Sequence, residues 1–314
     1  RRSRPARLAW RPTPARSPPP WGSRGMRLTV RVPATAANLG PGFDALALAL
    51  GLHNEVVCET SAEPAVEVSG EGAGELPEDA SNLIFRSMAF VAREAGGSLP
   101  SLRLRCRNEI PLERGLGSSA SAVVAGVLLA DRLLGAGLDP DRLLGLAVDV
   151  EGHPDNVAAC LRGGGVIAYL SRDGWRAERL EPHPDLAPVV LIPEGERVPT
   201  QDARRDLPLD VPLRDAAFNL GRSALAVRAL THDPALLHEA LEDRLHQARR
   251  LELAPGARAL FRDLRDAEIP ACVAGAGPTI LAFEGLGGPI PELGPGWRVE
   301  RPGVPSGGAS IAEA

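Results

Sequence analysis

The chain has 314 residues, 44% of them apolar and 24% charged, with a net charge of −5. That length buries a substantial core and ordinarily divides into two domains. The mild negative balance offers no footprint for nucleic acid, and no apolar run approaches the roughly 18 residues of a membrane-spanning helix.

Residues 1–25 stand apart, with seven arginines, no acidic residue, and much Pro and Ser. The total of −5 less these seven positive charges leaves −12 on the remainder. The stretch has no apolar periodicity and no continuous h-region, so it reads as a disordered basic extension and not a secretory signal. Met26 follows directly, before a strand-like run, and is the expected translation start. The cysteines Cys58, Cys106, Cys160 and Cys272 are scattered, with no CxxC pair. That excludes a zinc site and suits the reduced thiols of a cytoplasmic protein.

Residues 27–34 alternate as a strand, followed by a Gly/Pro turn and an apolar run over 45–50. Strands are predicted over 53–60 and 65–71. A helix over 81–96 has Ser81 as a candidate N-cap and Gly96 as a stop. Residues 101–111 alternate again. A Gly-Leu-Gly-Ser-Ser loop then runs into an Ala-rich helix ending near Gly135. A second helix follows, capped by Asp139 with Pro140 in its first turn. A buried strand covers 163–170. Composition shifts between Arg172 and Pro188, so the division is placed at 26–178 and 179–314. The second half opens with a strand over 187–195. Helices are predicted over 215–233, 234–250 and 256–270, then strands over 271–277 and 278–285. Strands and helices mix without a βαβ rhythm, which favours an α+β fold.

The 115–119 loop has the chemistry of a phosphate cradle. Glycines let the backbone approach an oxyanion closely, and the helix N-terminus presents free N–H groups. Yet the sequence contains no lysine, so this is not a Walker A loop. The third glycine of GxGxxG is also absent. Amides, hydroxyls and a divalent cation must balance a polyphosphate here. A Gly-rich turn capped by serine is the structural alternative.

These residues carry a resemblance. The segment "PLERGLGSSASA" at 111–122 resembles the nucleotide motif of the GHMP kinases. "VPATAANLGPGFDALALAL" at 32–50 is similar to the opening of the homoserine kinases in that superfamily. "EGHPDNVAACLRGG" at 151–164 and "VPTQDARRDLP" at 198–208 resemble two further segments of that family. "VAGAGPTILAF" at 273–283 resembles the third GHMP motif, with Ala276 in place of the usual serine. The five stretches lie in family order across about 26–285.

The resemblance implies the GHMP kinase fold: an N-terminal domain like domain 2 of ribosomal protein S5, then a ferredoxin-like domain. It implies transfer of the ATP γ-phosphoryl group to the side-chain hydroxyl of L-homoserine, with Mg²⁺. The nucleotide is then expected on Pro111, Leu112, Glu113, Arg114, Gly115 and Leu116. Gly117, Ser118, Ser119, Ala120 and Ser121 continue that surface, with Asn82 at adenine. Mg²⁺ is expected on Ser118 or Ser119 together with Glu151. On the acceptor side Arg204 and Arg250 match positions that grip the carboxylate. The register through "HQARR" leaves Arg249 open as an alternative. Asp44 and Asp155 are candidates for the ammonium, and Asn38 and Asn156 for the hydroxyl. Asp155 is a conceivable base, and His153 is a substrate-side residue with a structural alternative. A homodimer is a further implication; nucleic acid and membrane are not expected partners. Competing readings are a GHMP kinase with another acceptor and a non-catalytic binding relative.

Overall fold

The computed structural model describes residues 26–313; the basic extension expected over 1–25 lies outside the described residues. In chain order the first elements are β1 (Arg27–Ala37), β2 (Leu46–Thr60), β3 (Ala65–Gly70), α1 (Leu83–Glu94), β4 (Leu102–Asn108) and α2 (Ser118–Leu134). Then come α3 (Pro140–Glu151), α4 (Asp155–Arg162), β5 (Gly165–Ser171), β6 (Gly174–Leu180) and β7 (Pro188–Pro193). The rest comprises α5 (Thr200–Arg205), α6 (Leu213–Thr231), α7 (Leu237–Ala240), α8 (Gln247–Glu252), α9 (Pro255–Asp266), β8 (Ala271–Val273), β9 (Ile280–Phe283), β10 (Trp297–Glu300) and β11 (Ser310–Glu313).

Two sheets organise the chain. The larger has the order β11-β1-β2-β4-β3, with β5 and β6 branching from the start of β2. The smaller has the order β10-β7-β9-β8. Among the described residues only β3–β4 pair in parallel. The β1–β2 register shifts at Pro33/Ala34, where proline has no N–H to give the ladder. The shift bends the hairpin so that its far end, residues 34–50, turns toward the second sheet.

Burial follows from alternation. In β7 Val190 and Ile192 join Leu48 and Leu50 in a core shared by both sheets. Val189 and Leu191 face the other way, onto Leu251, Leu260 and Leu264 of α8 and α9. β7 is therefore buried on both faces, and its sequence is continuously apolar instead of alternating. A third core packs α1–α4 on the first sheet.

Several local expectations change. The N-cap of α1 is Asn82, whose Oδ1 accepts from the Ile84 N–H at 3.0 Å; Ser81 instead binds Asp79. The helix expected over 234–250 is broken. Asp243 accepts the N–H groups of Leu245, His246 and Gln247, so its carboxylate ends one turn and starts α8. A boundary at 178/179 falls inside β6, and β11 pairs residue by residue with β1, as in Val30 opposite Ile311. The end of the chain thus belongs to the first sheet. All four cysteines are buried and free.

Candidate active site

Two cavities, each about 460 Å³, meet at the start of α2. The first is largely apolar: Val56, Leu76, Pro77, Ile84 and Leu112 line it, with Asn82 at its wall. The second is polar and lies where the two sheets approach. Glu113, Ser118 and Ser119 line both cavities, so a ligand with a flat apolar end and an anionic end can span them.

The loop between the cavities has a backbone reason for its glycines. Gly115 and Gly117 have φ of +74° and +73°, a region that L side chains rarely occupy. A Cβ on Gly115 would lie 2.1 Å from the Ala274 carbonyl oxygen, so the loop is pressed on the 274–277 turn. A Cβ on Gly117 would lie 2.1 Å from Thr35 Oγ1. That side of Gly117 is closed by protein and is not the phosphate path. No side chain caps the α2 N-terminus. Its first N–H groups are left for an anion, and the helix dipole points the same way.

Ser119 Oγ donates to Glu151 Oε2 at 2.7 Å. Burial pushes the Glu151 carboxyl above the ordinary glutamate range, while His153 and Ser119 work the other way. His153 stands between two acids, with Nε2 3.8 Å from Glu151 and Nδ1 3.5 Å from Asp155. Burial opposes its charged form, but Asp155 and Glu151 outweigh burial and hold its pKa above the ordinary value. Asp155 is buried, and its Oδ1 accepts the Asn156 N–H at 2.8 Å. Thr35 Oγ1 donates to Asn156 Oδ1 at 2.7 Å and so fixes that amide.

Across this cavity Arg204 reaches Asp44 through both terminal nitrogens, Nη1 at 3.0 Å from Oδ2. Burial opposes the guanidinium's charge, but Asp44 outweighs it and the pKa is raised. Arg250 is 3% exposed and donates to the Gly275 carbonyl. Burial, with Arg204 nearby, lowers its pKa to about 10. Arg249 points out and pairs with Glu252. The inward residue of "HQARR" is therefore Arg250. Both inward arginines flank the Phe43 ring, at 5.7 and 5.5 Å from its centroid.

Comparison with known proteins adds to this geometry. The family model described as GHMP kinases N terminal domain matches residues 82–164. A homoserine kinase of Streptomyces avermitilis is 45% identical over 295 residues, 92% of this chain and 96% of that protein. The chain belongs to the homoserine kinases. The crystal structure of the homoserine kinase from Cytophaga hutchinsonii superposes with a TM-score of 0.76 at 27% identity, covering 91% of this chain and 97% of that one. A putative homoserine kinase from Listeria monocytogenes gives 0.71 at 28% identity, covering 91% and 99%. The fold is accordingly the α+β fold of the GHMP kinases.

Within that homoserine kinase frame, the residues expected from sequence divide into three groups. Pro111, Glu113, Gly115, Leu116, Gly117 and Ser119 line the polar cavity, while Leu112, Asn82 and Ser121 line the apolar one. Asn38, His153, Asp155, Asn156, Arg204 and Arg250, expected around the acceptor, come together in the polar cavity. A third group changes role. Ala120 is fully buried and lines neither cavity. Ser121 spends its hydroxyl on Ser118 O and Asn54. Arg114 spends its guanidinium on the carbonyls of Pro193, Glu194 and Leu112, tying the loop to the end of β7. Asn38 donates to Gly275 O at 2.8 Å and accepts from Asp44 N at 3.1 Å, so both ends of its amide hold backbone. Of the two serines expected near a metal, Ser119 is the one that faces Glu151. Thr35 and Phe43 were not anticipated. In sequence Thr35 is one more strand residue, and Phe43 one more apolar residue after a turn.

Proposed function

We propose that the two cavities divide the homoserine kinase reaction between them. The observation that carries this is their junction at Ser118 and Ser119, with an uncapped helix N-terminus between an apolar pocket and a paired acid–arginine clamp. The family's reaction, ATP-dependent phosphorylation of the L-homoserine side-chain hydroxyl, is the reaction of this chain. In our reading adenine occupies the apolar cavity beside Asn82. The phosphates cross the N–H groups that open α2.

Ser119 and Glu151 are two hard oxygen donors 2.7 Å apart beside that path. They suit Mg²⁺, which keeps most of its shell as water and phosphate oxygen and takes few protein ligands. When bound, the ion neutralises phosphate charge, and its arrival lowers the Glu151 pKa that burial has raised. Among the described residues no group of three or more His, Cys, Asp or Glu side chains could hold a metal.

Homoserine is a zwitterion, and the clamp is its complement. Its carboxylate takes the forks of Arg204 and Arg250, and its ammonium takes Asp44. Asp44 and Arg204 carry the charges complementary to the substrate's two and pair with each other. Asp155 and Asn156, the latter fixed by Thr35, orient the acceptor hydroxyl. The phosphoryl transition state is loose, so alignment and charge stabilisation do most of the work. As the homoserine oxygen bonds to the γ-phosphorus, the bond to the bridging oxygen breaks to release ADP, and Asp155 is the carboxylate placed to take the hydroxyl proton. Transfer from radiolabelled ATP across homoserine, mevalonate and shikimate tests the reading: label on homoserine alone is expected, and label on another acceptor refutes the clamp assignment.

A homodimer is the assembly this reading favours. Leu213, Ala217, Leu220 and Ala224 form a 4–3–4 stripe on α6 in which both leucines are largely exposed, at 86% and 74%. Sedimentation velocity at micromolar concentration giving only monomer would refute it. Among the described residues no helix is long and apolar enough to cross a membrane.

A further inference from the structure

The segment 38–44 carries Asn38, Phe43 and Asp44 into the acceptor side, and its backbone is strained. Asn38, Leu39 and Asp44 have φ of +71°, +41° and +56°. Such conformations persist in non-glycine residues only where surroundings impose them. Three donors from the second half of the chain do so here. His246 Nε2 lies 2.7 Å from the Gly40 carbonyl oxygen, so that nitrogen carries the proton and donates. Ser223 Oγ donates to the Pro41 carbonyl at 2.8 Å, and Asn219 Nδ2 reaches the same oxygen at 3.5 Å.

We propose that His246 is the positioning residue of the acceptor site, with Asn219 and Ser223 as its auxiliaries. The imidazole is 1% exposed and stacks near Phe43, ring centroids 5.3 Å apart. Phe43 is the ring that both clamp arginines flank. One side chain thus fixes the backbone carrying Asp44 and the ring that spaces Arg204 from Arg250. His246 is itself held by Asp243, which accepts its N–H at 2.8 Å and the Asn219 amide at 2.7 Å. Burial, the largest influence, and Arg250 depress the imidazole pKa to about 4. In either protonation state Nε2 carries the proton that the Gly40 oxygen accepts. His246, Asn219 and Ser223 line neither cavity and bond to Gly40 and Pro41, so their effect is expected on the amino acid and not on the nucleotide.

The proposal rests on the assignment of Asp44 to homoserine, and the test separates the two. His246→Leu removes the donor and keeps the bulk; His246→Gln keeps an N–H for the Gly40 oxygen. With steady-state kinetics on the full chain, His246→Leu is expected to raise the homoserine KM by about 10- to 100-fold and leave the ATP KM within about twofold. His246→Gln restores most of the loss. Equal rises in both KM values, no rise in the homoserine KM, or failure of Gln to restore it overturns the positioning role. If His246→Leu does not fold, Ser223→Ala decides: a rise confined to the homoserine KM, about threefold, supports the clasp, and no rise overturns it. Asp44→Asn is the control. If it leaves the homoserine KM unchanged, the acceptor assignment fails; if it raises that KM while His246→Leu does not, only the clasp fails.

Discussion

The loop we assign to the phosphates is one stretch of chain, residues 111–119, while the rest of the polar cavity draws Asn38, Glu151, His153, Asp155, Asn156, Arg204, Arg250 and the 275–276 turn from across the chain. The cradle works through backbone: positive-φ glycines and an uncapped helix end. The proposed acceptor side works through charge: two carboxylates around an imidazole, the buried Arg250 and the half-buried Arg204. Backbone recognition is general for polyphosphates, and one motif can encode it. Charged recognition of a small zwitterion needs converging groups, and only the tertiary fold brings them together. The two halves should therefore fail separately when mutated.

The largest separation is expected at the arginines. Arg204→Ala removes a bidentate fork and leaves Asp44 without its partner. Two charge-assisted bonds are lost, so homoserine kcat/KM should fall by about 30- to 1,000-fold, roughly 2–4 kcal/mol. Lysine should not rescue it, because an ammonium cannot present two parallel donors. Arg250→Ala should behave alike, and Arg249→Ala should be near neutral, its side chain being exposed. The ATP KM should hardly move in any of the three. Steady-state kinetics with both substrates varied checks this, and a large loss in Arg249→Ala would contradict the observed orientation of α8.

This difference also explains what the sequence could and could not show. The glycine-rich loop, the α2 helix and the Asp139 cap were readable, because each depends on neighbours within a few residues, and so was the α+β class. The break at Asp243 was not, since an apolar period continues through it and only the carboxylate's choice of backbone partners interrupts the helix. The return of β11 to β1 was equally hidden, as strand pairing across the whole chain leaves no local mark. The acceptor residues were legible only through likeness to a family. Phe43 and Thr35 escaped even that, because their roles consist in holding other side chains.

On the cradle side, Gly117→Val should weaken ATP and spare the acceptor clamp. Its Cβ would collide with Thr35 Oγ1, and its φ of +73° is strained for valine. The loop must shift, so ATP affinity should fall at least about tenfold, with Tm lower by several degrees. Calorimetry on folded protein measures it. Unchanged nucleotide affinity would mean that these amides do not hold the phosphates.

The smallest effect concerns Glu151, where the two halves touch. Burial holds its folded pKa above that of the unfolded chain. The folded state therefore binds more protons between those two values, and stability falls as pH rises through that window. The penalty is complete above the folded pKa. His153, also raised, adds in the same sense, since its stabilisation is present at low pH and lost as pH rises. Glu151→Gln removes the carboxylate's penalty and can still accept from Ser119. Nucleotide-free Glu151→Gln should thus melt about 1–4 °C above wild type near pH 7, the gap closing as pH approaches the ordinary glutamate range. Its kcat should fall and its Mg²⁺ requirement weaken. Destabilisation at neutral pH would show instead that Glu151 is held by the fold as a structural anion, and the metal assignment would lose its support.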